Sequence, residues 1–485
     1  MNSVCCLPRS NRPIPPEPSC SAPNRRQFLH LSAAAVTGLT LAPRHVLGGA
    51  GQIAPSDKIT LAGIGTGGQG MQNLAALQKF PEIQVVAVCD VERESNRYLS
   101  WNWSQGREER TCGREPARRA VESGYAAQRG SGQYRGCAAY VDYRELLEKE
   151  DVDAVTIATP DHTHAVIAMA ALKRRKHVYC EKPLTYSVRE ARQVAEAARQ
   201  AGVVTQMGNH GQAEEGARVV QEIIADGAIG AVREVHVWSG ARFWTWPAWD
   251  GRPPETPPVP EGLDWDLWLG PAPDRPYHPA YHPWTWRNWI DFGTGLLGDL
   301  GAHKLSTVFK ALKLGHPASV EASATKLSPE TYPLGEIVRF EFPARGAMPP
   351  VVLTWSDGGL KPPRPPELDP NDGIEDTIYI GDQGKLMGQR LLPDSRMDTY
   401  RMPPKTLPRS PGHYHEWVAG IRGGPPPGSN FVDHAGLVTE VCLLGNVAAR
   451  VQQKKLLYDG PNLRILNDAS ANELLGRAYR EGWAL

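Results

Sequence analysis

The most constraining feature of the chain is one local pattern: an apolar run, a cluster of glycines, a helical stretch and a second apolar run. Lys58-Ile59-Thr60-Leu61-Ala62-Gly63-Ile64-Gly65 reads as a strand, Met71 to Lys79 as a helix, and Ile83 to Asp90 as the next strand. Two further runs continue the alternation, Asp153 to Pro160 after the helix 143–150, and His177 to Pro183 after the helix 164–175. Strands buried on both faces appear as continuous Val/Ile/Ala runs, so these predict a parallel, doubly wound sheet with helices on both sides. Residues 57–208 are therefore assigned to a Rossmann-type domain of α/β class. Residues 91–139, rich in Arg, Gly and Ser, interrupt it as a long insertion that is expected to contain irregular helix.

Gly63-Ile64-Gly65-Thr66-Gly67-Gly68 follows the first strand and opens the first helix, where bare backbone amides can approach a pyrophosphate. Asp90 ends the second strand at the separation expected of a carboxylate that binds a ribose diol. An acid there favours NAD over NADP, although Arg93 leaves NADP open. The third strand ends in Ala158-Thr159-Pro160-Asp161-His162-Thr163-His164, and ligands bind at the C-terminal ends of such strands. His162 and His164 have the spacing of a metal pair. No further ligand is patterned near them, so a cofactor-edge or helix-capping role is preferred and no metal is expected. Glu181-Lys182-Pro183 closes the fourth strand, and a lysine there can polarise a hydroxyl or carbonyl and exchange a proton. Pro183 restricts the backbone of Lys182.

Beyond Gly208 the pattern changes to alternating strands within 209–430, at Val232 to Ser239, Val320 to Leu327, Glu336 to Ala344, Val351 to Asp357 and Asp376 to Asp382. They predict an α+β domain with a large open, mostly antiparallel sheet. Trp244 to Trp289, crowded with Pro and Trp, reads as an ordered loop folded over that sheet. The tail 431–485 is expected to be helical, including the run Ala471 to Trp483. Within Gly293 to His303, Asp299 and His303 stand four apart. On a helix they share a face, so the carboxylate can orient the imidazole or raise its pKa. The same spacing fits a metal pair or a surface ion pair, but the glycine-rich approach favours a place near a ligand.

The order of these pieces resembles the Gfo/Idh/MocA oxidoreductase family: a GxGxxG loop, a TP-x-x-x-H strand end, EKP and a glycine-rich DxxxH helix. The resemblance extends over the chain beyond residue 50, including Phe431 to Arg450, which is similar to exported members. It implies an active site between the two domains and a sugar or cyclitol substrate. It further implies Lys182 and His303 as proton-transfer pair, with Asp299 positioning them. Thr159, Asp161 and His164 would line the cofactor, Glu181 would sit beside it, and Trp286-Arg287 would contact it. Asp161 stands where many members have Asn. Pairing through the open sheet face, giving a homo-oligomer, is implied as well.

Lys+Arg and Asp+Glu balance at 53 each, which removes the electrostatic case for nucleic acid or an anionic membrane as partner. Arg25-Arg26 followed by the mildly apolar run Leu31 to Ala42 reads as a twin-arginine signal over 1–50, too short for a stable membrane span. The expected location is periplasmic or otherwise exported, with the twin-arginine machinery as a partner. Cys89 and Cys180 are expected to be buried thiols, whereas Cys112 and Cys137 are candidates for a disulfide in an oxidising compartment. Export also argues for a tightly bound nicotinamide cofactor, reset within the site by a second sugar or by returning the hydride to the same substrate. The second cycle would suit an NAD-dependent glycosidase or lyase acting through a transient keto-sugar. A non-catalytic sugar-binding module is a third reading, opposed by the intact Lys182, Asp299 and His303 set.

Overall fold

The structure is a computed structural model, and it describes residues 53–99, 109–130, 132–240, 251–325, 327–452 and 454–485. The expected export signal over 1–50 lies outside the described residues.

The first sheet has six parallel strands in the order β5-β2-β1-β6-β7-β8: β1 Ile59–Ile64, β2 Ile83–Cys89, β5 Ala138–Tyr140, β6 Ala154–Ile157, β7 His177–Cys180 and β8 Thr205–Met207. The order reverses between β1 and β6, which opens a crevice at their C-terminal ends. Helices α1 Gly68–Leu77, α2 Arg114–Arg129 and α9 His413–Ile421 cover one face, where Leu61, Val85, Leu74, Leu77, Tyr125 and Trp417 share a core. The opposite face, with Ala62, Ala87, Val155 and Ile157, is covered by α3 Tyr143–Lys149, α4 Asp161–Lys173 and α5 Val188–Ala201. Each Val, Leu or Ile so buried contributes about 1.5–3 kcal/mol, which explains runs with no polar alternation. Helix α5 begins with a reciprocal cap: Ser187 accepts from the Glu190 amide, and Glu190 accepts from the Ser187 amide at 3.0 Å.

The insertion is more regular than its composition suggests. An antiparallel ribbon of β3 Ser95–Leu99 and β4 Glu109–Cys112 precedes the 16-residue α2. Ala117, Val121 and Tyr125 recur every fourth residue on the buried face of α2, while Arg118 pairs outside with Glu115 and Glu122. The proposed Cys112–Cys137 disulfide is not formed. Both thiols are free and buried, with Cys137 in the core beside Val121 and Tyr125 and Cys112 on the ribbon.

The second sheet has nine strands in the order β15-β14-β13-β9-β12-β11-β10-β16-β17. These are β9 Val232–Trp238, β10 Ser319–Ala324, β11 Glu336–Phe342, β12 Val351–Ser356, β13 Thr377–Gly381, β14 Gly384–Met387, β15 Arg390–Leu392, β16 Leu456–Asp459 and β17 Arg464–Ile465. Every pairing is antiparallel except β9 with β12. Val338, Phe340, Leu353 and Trp355 point inward onto α6 Glu215–Ala225, α8 Ala302–Leu312 and α10 Gly436–Val451. The apolar segment Phe431–Val451 is long enough to cross a membrane, yet 83% of its most apolar window is buried inside the protein, as befits a core helix.

Two loop expectations change. The described part of the Pro/Trp-rich stretch, with α7 Trp265–Leu269, lies against the first domain: Asp264 N–H donates to the Val91 carbonyl and Arg93 N–H to that of Gly262. The tail contributes strands β16 and β17 as well as α10, and its last expected helix is confined to Ala469–Glu473. From Gly476 onward the chain is held by contacts such as Arg480 donating to the Gly270 carbonyl.

Candidate active site

A cavity of about 390 Å³ opens at the reversal point between β1 and β6. Its floor is the glycine loop. Gly65 has φ +82°, and a Cβ there would lie 2.6 Å from the backbone of Ala158 and Thr159, so only glycine lets β1 and β6 approach so closely. Gly65, Gly67 and Gly68 face the cavity, with α1 starting behind Gly67. Gly63 has another task, since a Cβ there would meet Leu74 at 2.8 Å. Thr66 also stands behind the wall. Its amide donates to Asp90 Oδ2 at 2.6 Å and its hydroxyl donates to the same oxygen at 3.2 Å. The Glu92 amide holds Asp90 Oδ1 at 2.8 Å. Burial raises the Asp90 pKa and these donors oppose it, leaving an oriented acceptor on the cavity wall. Arg93 pairs with Glu261 at the surface, 3.4 Å away.

The ends of β6 and β7 supply the opposite wall. Thr159 and Asp161 line it, and Thr294 donates to Asp161 Oδ2 at 2.6 Å. Burial pushes the Asp161 carboxyl up to about 7, against the pull of that hydrogen bond. His164 is not on the wall: its ring lies between the carbonyls of Pro183 at 2.8 Å and Thr159 at 2.9 Å, and its single N–H can donate to one of them. His162 is likewise buried, between the carbonyls of Phe292 and Trp268. Burial lowers both imidazoles, to about 4 and about 3, so neither is a cation at neutral pH.

Glu181 and Lys182 leave β7 into the cavity. Asn73 donates to Glu181 Oε1 at 2.9 Å, while Lys182 forms a short ion pair with Asp299. Asp299 lies on a π-helical turn, Leu297–Gly301, that runs into α8, where His303 sits. Such turns recur at functional sites because they displace a side chain from the regular helical register. Arg287 stands 3.7 Å from Asp299 and stacks on the rings of Trp284 and Trp286. Burial alone would raise Asp299, but Lys182 and Arg287 outweigh it and hold the carboxyl below its usual range. Asp299 does pull the His303 pKa upward, one of the two effects expected of it, but the pull is outweighed. Burial first and the Lys182 charge second bring His303 down to about 3, with Asp299 opposing only in part.

Thus the structure brings Gly65, Gly67, Gly68, Asp90, Thr159, Asp161, Glu181, Lys182, Trp286, Arg287, Asp299 and His303 to one cavity and sets Gly63, Thr66 and His164 behind it. Sequence reasoning missed Tyr98, His210, Trp268, His282, Trp284 and Trp483, which line the same cavity. His210 follows β8 by three residues, so the strand-end rule could have found it. Tyr98 lies on the short β3 and Trp268 on the short α7, and His282, Trp284 and Trp483 come from segments with no period. Among the described residues no cluster of three or more His, Cys, Asp or Glu is arranged to hold a metal.

The cavity fits a dinucleotide. Added Cβ atoms would crowd the cradle at Gly65 and Gly67, and Asp90 offers an acceptor at the end of β2. The described wall also contains a buried His282 Nδ1 with no partner among the described residues.

Comparison with known proteins agrees with this geometry. Residues 59–209 match the Gfo/Idh/MocA model described as oxidoreductase family, NAD-binding Rossmann fold, and residues 214–341 match its C-terminal alpha/beta domain. A 1,5-anhydro-D-fructose reductase of Ensifer adhaerens is 37% identical over 106 residues, 22% of this chain and 30% of that protein. An inositol 2-dehydrogenase of Rubrobacter xylanophilus is 32% identical over 178 residues, 36% of this chain and 42% of the relative. The matches thus span less than half the length of these curated relatives. Among solved structures, the WlbA dehydrogenase of Bordetella pertussis, in complex with NADH and UDP-GlcNAcA, has a TM-score of 0.53 at 16% identity, covering 83% of this chain and 99% of that one. An NAD-binding protein of Listeria innocua has a TM-score of 0.51 at 16% identity, covering 83% and 100%. These two likenesses concern the fold alone. With the two family models together matching more than half of the chain, the protein belongs to the Gfo/Idh/MocA oxidoreductase family and carries its NAD-binding Rossmann domain.

Proposed function

We propose that this protein is an exported oxidoreductase that acts on a CH–OH group of a sugar or cyclitol with a tightly held NAD. The observation that carries the reading is the convergence of the glycine loop, Asp90, Lys182, Asp299 and His303 on one cavity. The bound nicotinamide would supply a two-electron acceptor and donor. All other steps belong to side chains of this chain. His303, neutral across the physiological range, can take the hydroxyl proton on a ring nitrogen. Lys182, aimed by Asp299, donates a hydrogen bond to the same oxygen and stabilises charge as the carbonyl forms. Arg287, held over Trp284 and Trp286, keeps Asp299 ionised and so keeps Lys182 aimed.

Support for the substrate class comes from the similar proteins named a 1,5-anhydro-D-fructose reductase and an inositol 2-dehydrogenase. It comes also from the flat rings of Trp268, Trp284 and Trp286 on the wall, which suit the CH faces of a ring polyol. Support for export is the twin-arginine pattern around Arg25-Arg26, and a resident cofactor follows from export, because free NAD is not maintained outside the cytoplasm. Pairing of chains through the outer face of the nine-stranded sheet belongs to the same reading. The test is to denature the purified protein, identify the released nucleotide, and screen carbohydrates for a change in nicotinamide absorbance of the native protein. NAD released in near-equal amount to protein, with a response to a sugar or cyclitol, is the expected result. A protein that carries no nucleotide and turns over only with added NAD would refute the resident cofactor.

A further inference from the structure

The two segments whose sequence did not state a purpose, the insertion ribbon and the Pro/Trp-rich stretch, meet over the glycine loop. Strand β3 crosses the loop closely: a Cβ at Gly67 would lie 2.8 Å from the Tyr98 ring, and one at Gly68 3.1 Å from the Leu99 carbonyl. From the other segment, His282 reaches the same place. Its Nε2 lies 3.4 Å from the Tyr98 hydroxyl, and the two rings meet edge to face at 5.8 Å. The segments are tied together beside this contact, where Arg97 of β3 donates to the Tyr277 hydroxyl at 2.6 Å. Both Tyr98 and His282 line the cavity with Gly65, Gly67 and Gly68. His282 is 1% exposed, and its Nδ1 is buried without a hydrogen-bond partner among the described residues. An unpartnered buried nitrogen is destabilising, and a ligand that supplies the partner removes that cost.

We propose that Tyr98 and His282 close over the glycine loop and bind the dinucleotide as a pair, the Tyr98 hydroxyl donating to His282 Nε2 and the His282 Nδ1–H donating to the diphosphate bridge. The phosphates would then be held from below by backbone amides and from above by one neutral donor, His282 Nδ1–H, whose tautomer Tyr98 fixes. A neutral donor suits a resident ligand. Burial keeps the Tyr98 phenol protonated and the His282 ring uncharged, so the contact does not weaken with pH in the physiological range. The inference rests on the dinucleotide reading of this cavity, and it gives the insertion a role in retaining the cofactor.

The test measures release of NADH, by fluorescence, from loaded protein challenged with excess NAD, for wild type, Tyr98→Phe, Tyr98→Ala and His282→Gln. Tyr98→Ala is expected to release NADH more than about tenfold faster than wild type, the equivalent of about 1.4 kcal/mol. Tyr98→Phe, which keeps the ring and lacks the donor, should release it about three- to tenfold faster. Titration with ADP-ribose and with adenosine separates diphosphate binding from general damage: Tyr98→Phe should weaken ADP-ribose and leave adenosine unchanged. Release rates within twofold of wild type in both Tyr98→Phe and His282→Gln, or equal losses for adenosine and ADP-ribose, would overturn the proposal. Failure of the resident-cofactor reading is seen separately, as wild-type protein that carries no nucleotide on purification but still binds added NADH.

Discussion

The two walls of the cavity are built by different physics. On one side, Gly65, Asp90, Thr159 and Lys182 are placed by the ends of parallel strands, whose spacing and direction are fixed by backbone pairing. On the other, Trp268, His282, Trp284 and Trp286 are placed by an irregular segment that has its own small core of Leu263, Tyr281, Trp289 and Phe292. That core and a few backbone hydrogen bonds to Val91, Arg93 and His162 set its position. The regular wall carries the groups whose chemistry is general to dinucleotide enzymes. The irregular wall carries groups that can vary without disturbing the sheet, which suits selection of substrate and retention of cofactor.

The contrast breaks most sharply at Lys182. Lys182→Ala should lower kcat by about 10²- to 10⁴-fold while leaving bound nucleotide in place, because the glycine loop and Asp90 are untouched. Steady-state rates and nucleotide content per chain measure both halves. The irregular wall should fail by unfolding. Trp289 is 1% exposed and donates to the Ala280 carbonyl at 2.8 Å, so Trp289→Ala should cost about 3–5 kcal/mol in chemical denaturation. A loss under about 1 kcal/mol would mean that this segment only drapes the surface. Gly65→Ala should act on binding. The forced positive φ and the clash with the β6 backbone introduce strain of about 1–3 kcal/mol, lowering NAD affinity roughly ten- to hundredfold by calorimetric titration.

The smallest effect sharpens the comparison where the walls meet, at the Asp161–Thr294 hydrogen bond. The folded-state pKa of Asp161 is about 7, above the roughly 3.9 of an unfolded chain. A raised pKa contributes stability that is present below about pH 4 and is lost as pH rises to about 7. Asp161→Asn cannot titrate, so its melting temperature relative to wild type should climb between pH 4 and 7 and then level off. A difference that is flat with pH would remove burial as the cause.

The same division governs how much was legible in the sequence. The runs at β1, β2, β6 and β7 are mostly apolar because both faces are covered, and the glycines after β1 mark a backbone approach that no other residue allows. Lys182 could be named from its place at the end of β7, whereas Asp299 and His303 rested on their four-residue spacing and on the family resemblance. Helix α2 was obscured because it is rich in arginine while its buried seam is narrow, Pro116, Ala117, Val121, Tyr125 and Ala126. Tyr98 and His282 were missed because neither has a periodic neighbour, and their meeting depends on side-chain packing between segments 184 residues apart. The net direction of the His303 shift was hidden for a related reason. A neighbouring carboxylate is visible in sequence, whereas burial and the lysine arriving from another strand are not.

The central claim is that Lys182 and a bound nicotinamide serve one reaction in this cavity. It is tested most directly by mixing nucleotide-loaded wild type and Lys182→Ala with carbohydrates in a single turnover and following nicotinamide absorbance. The account predicts a rapid change in the wild type with its sugar or cyclitol substrate and none in Lys182→Ala, although both retain the nucleotide. Equal rates in the two proteins, or a wild type that binds no nicotinamide nucleotide at all, would contradict it.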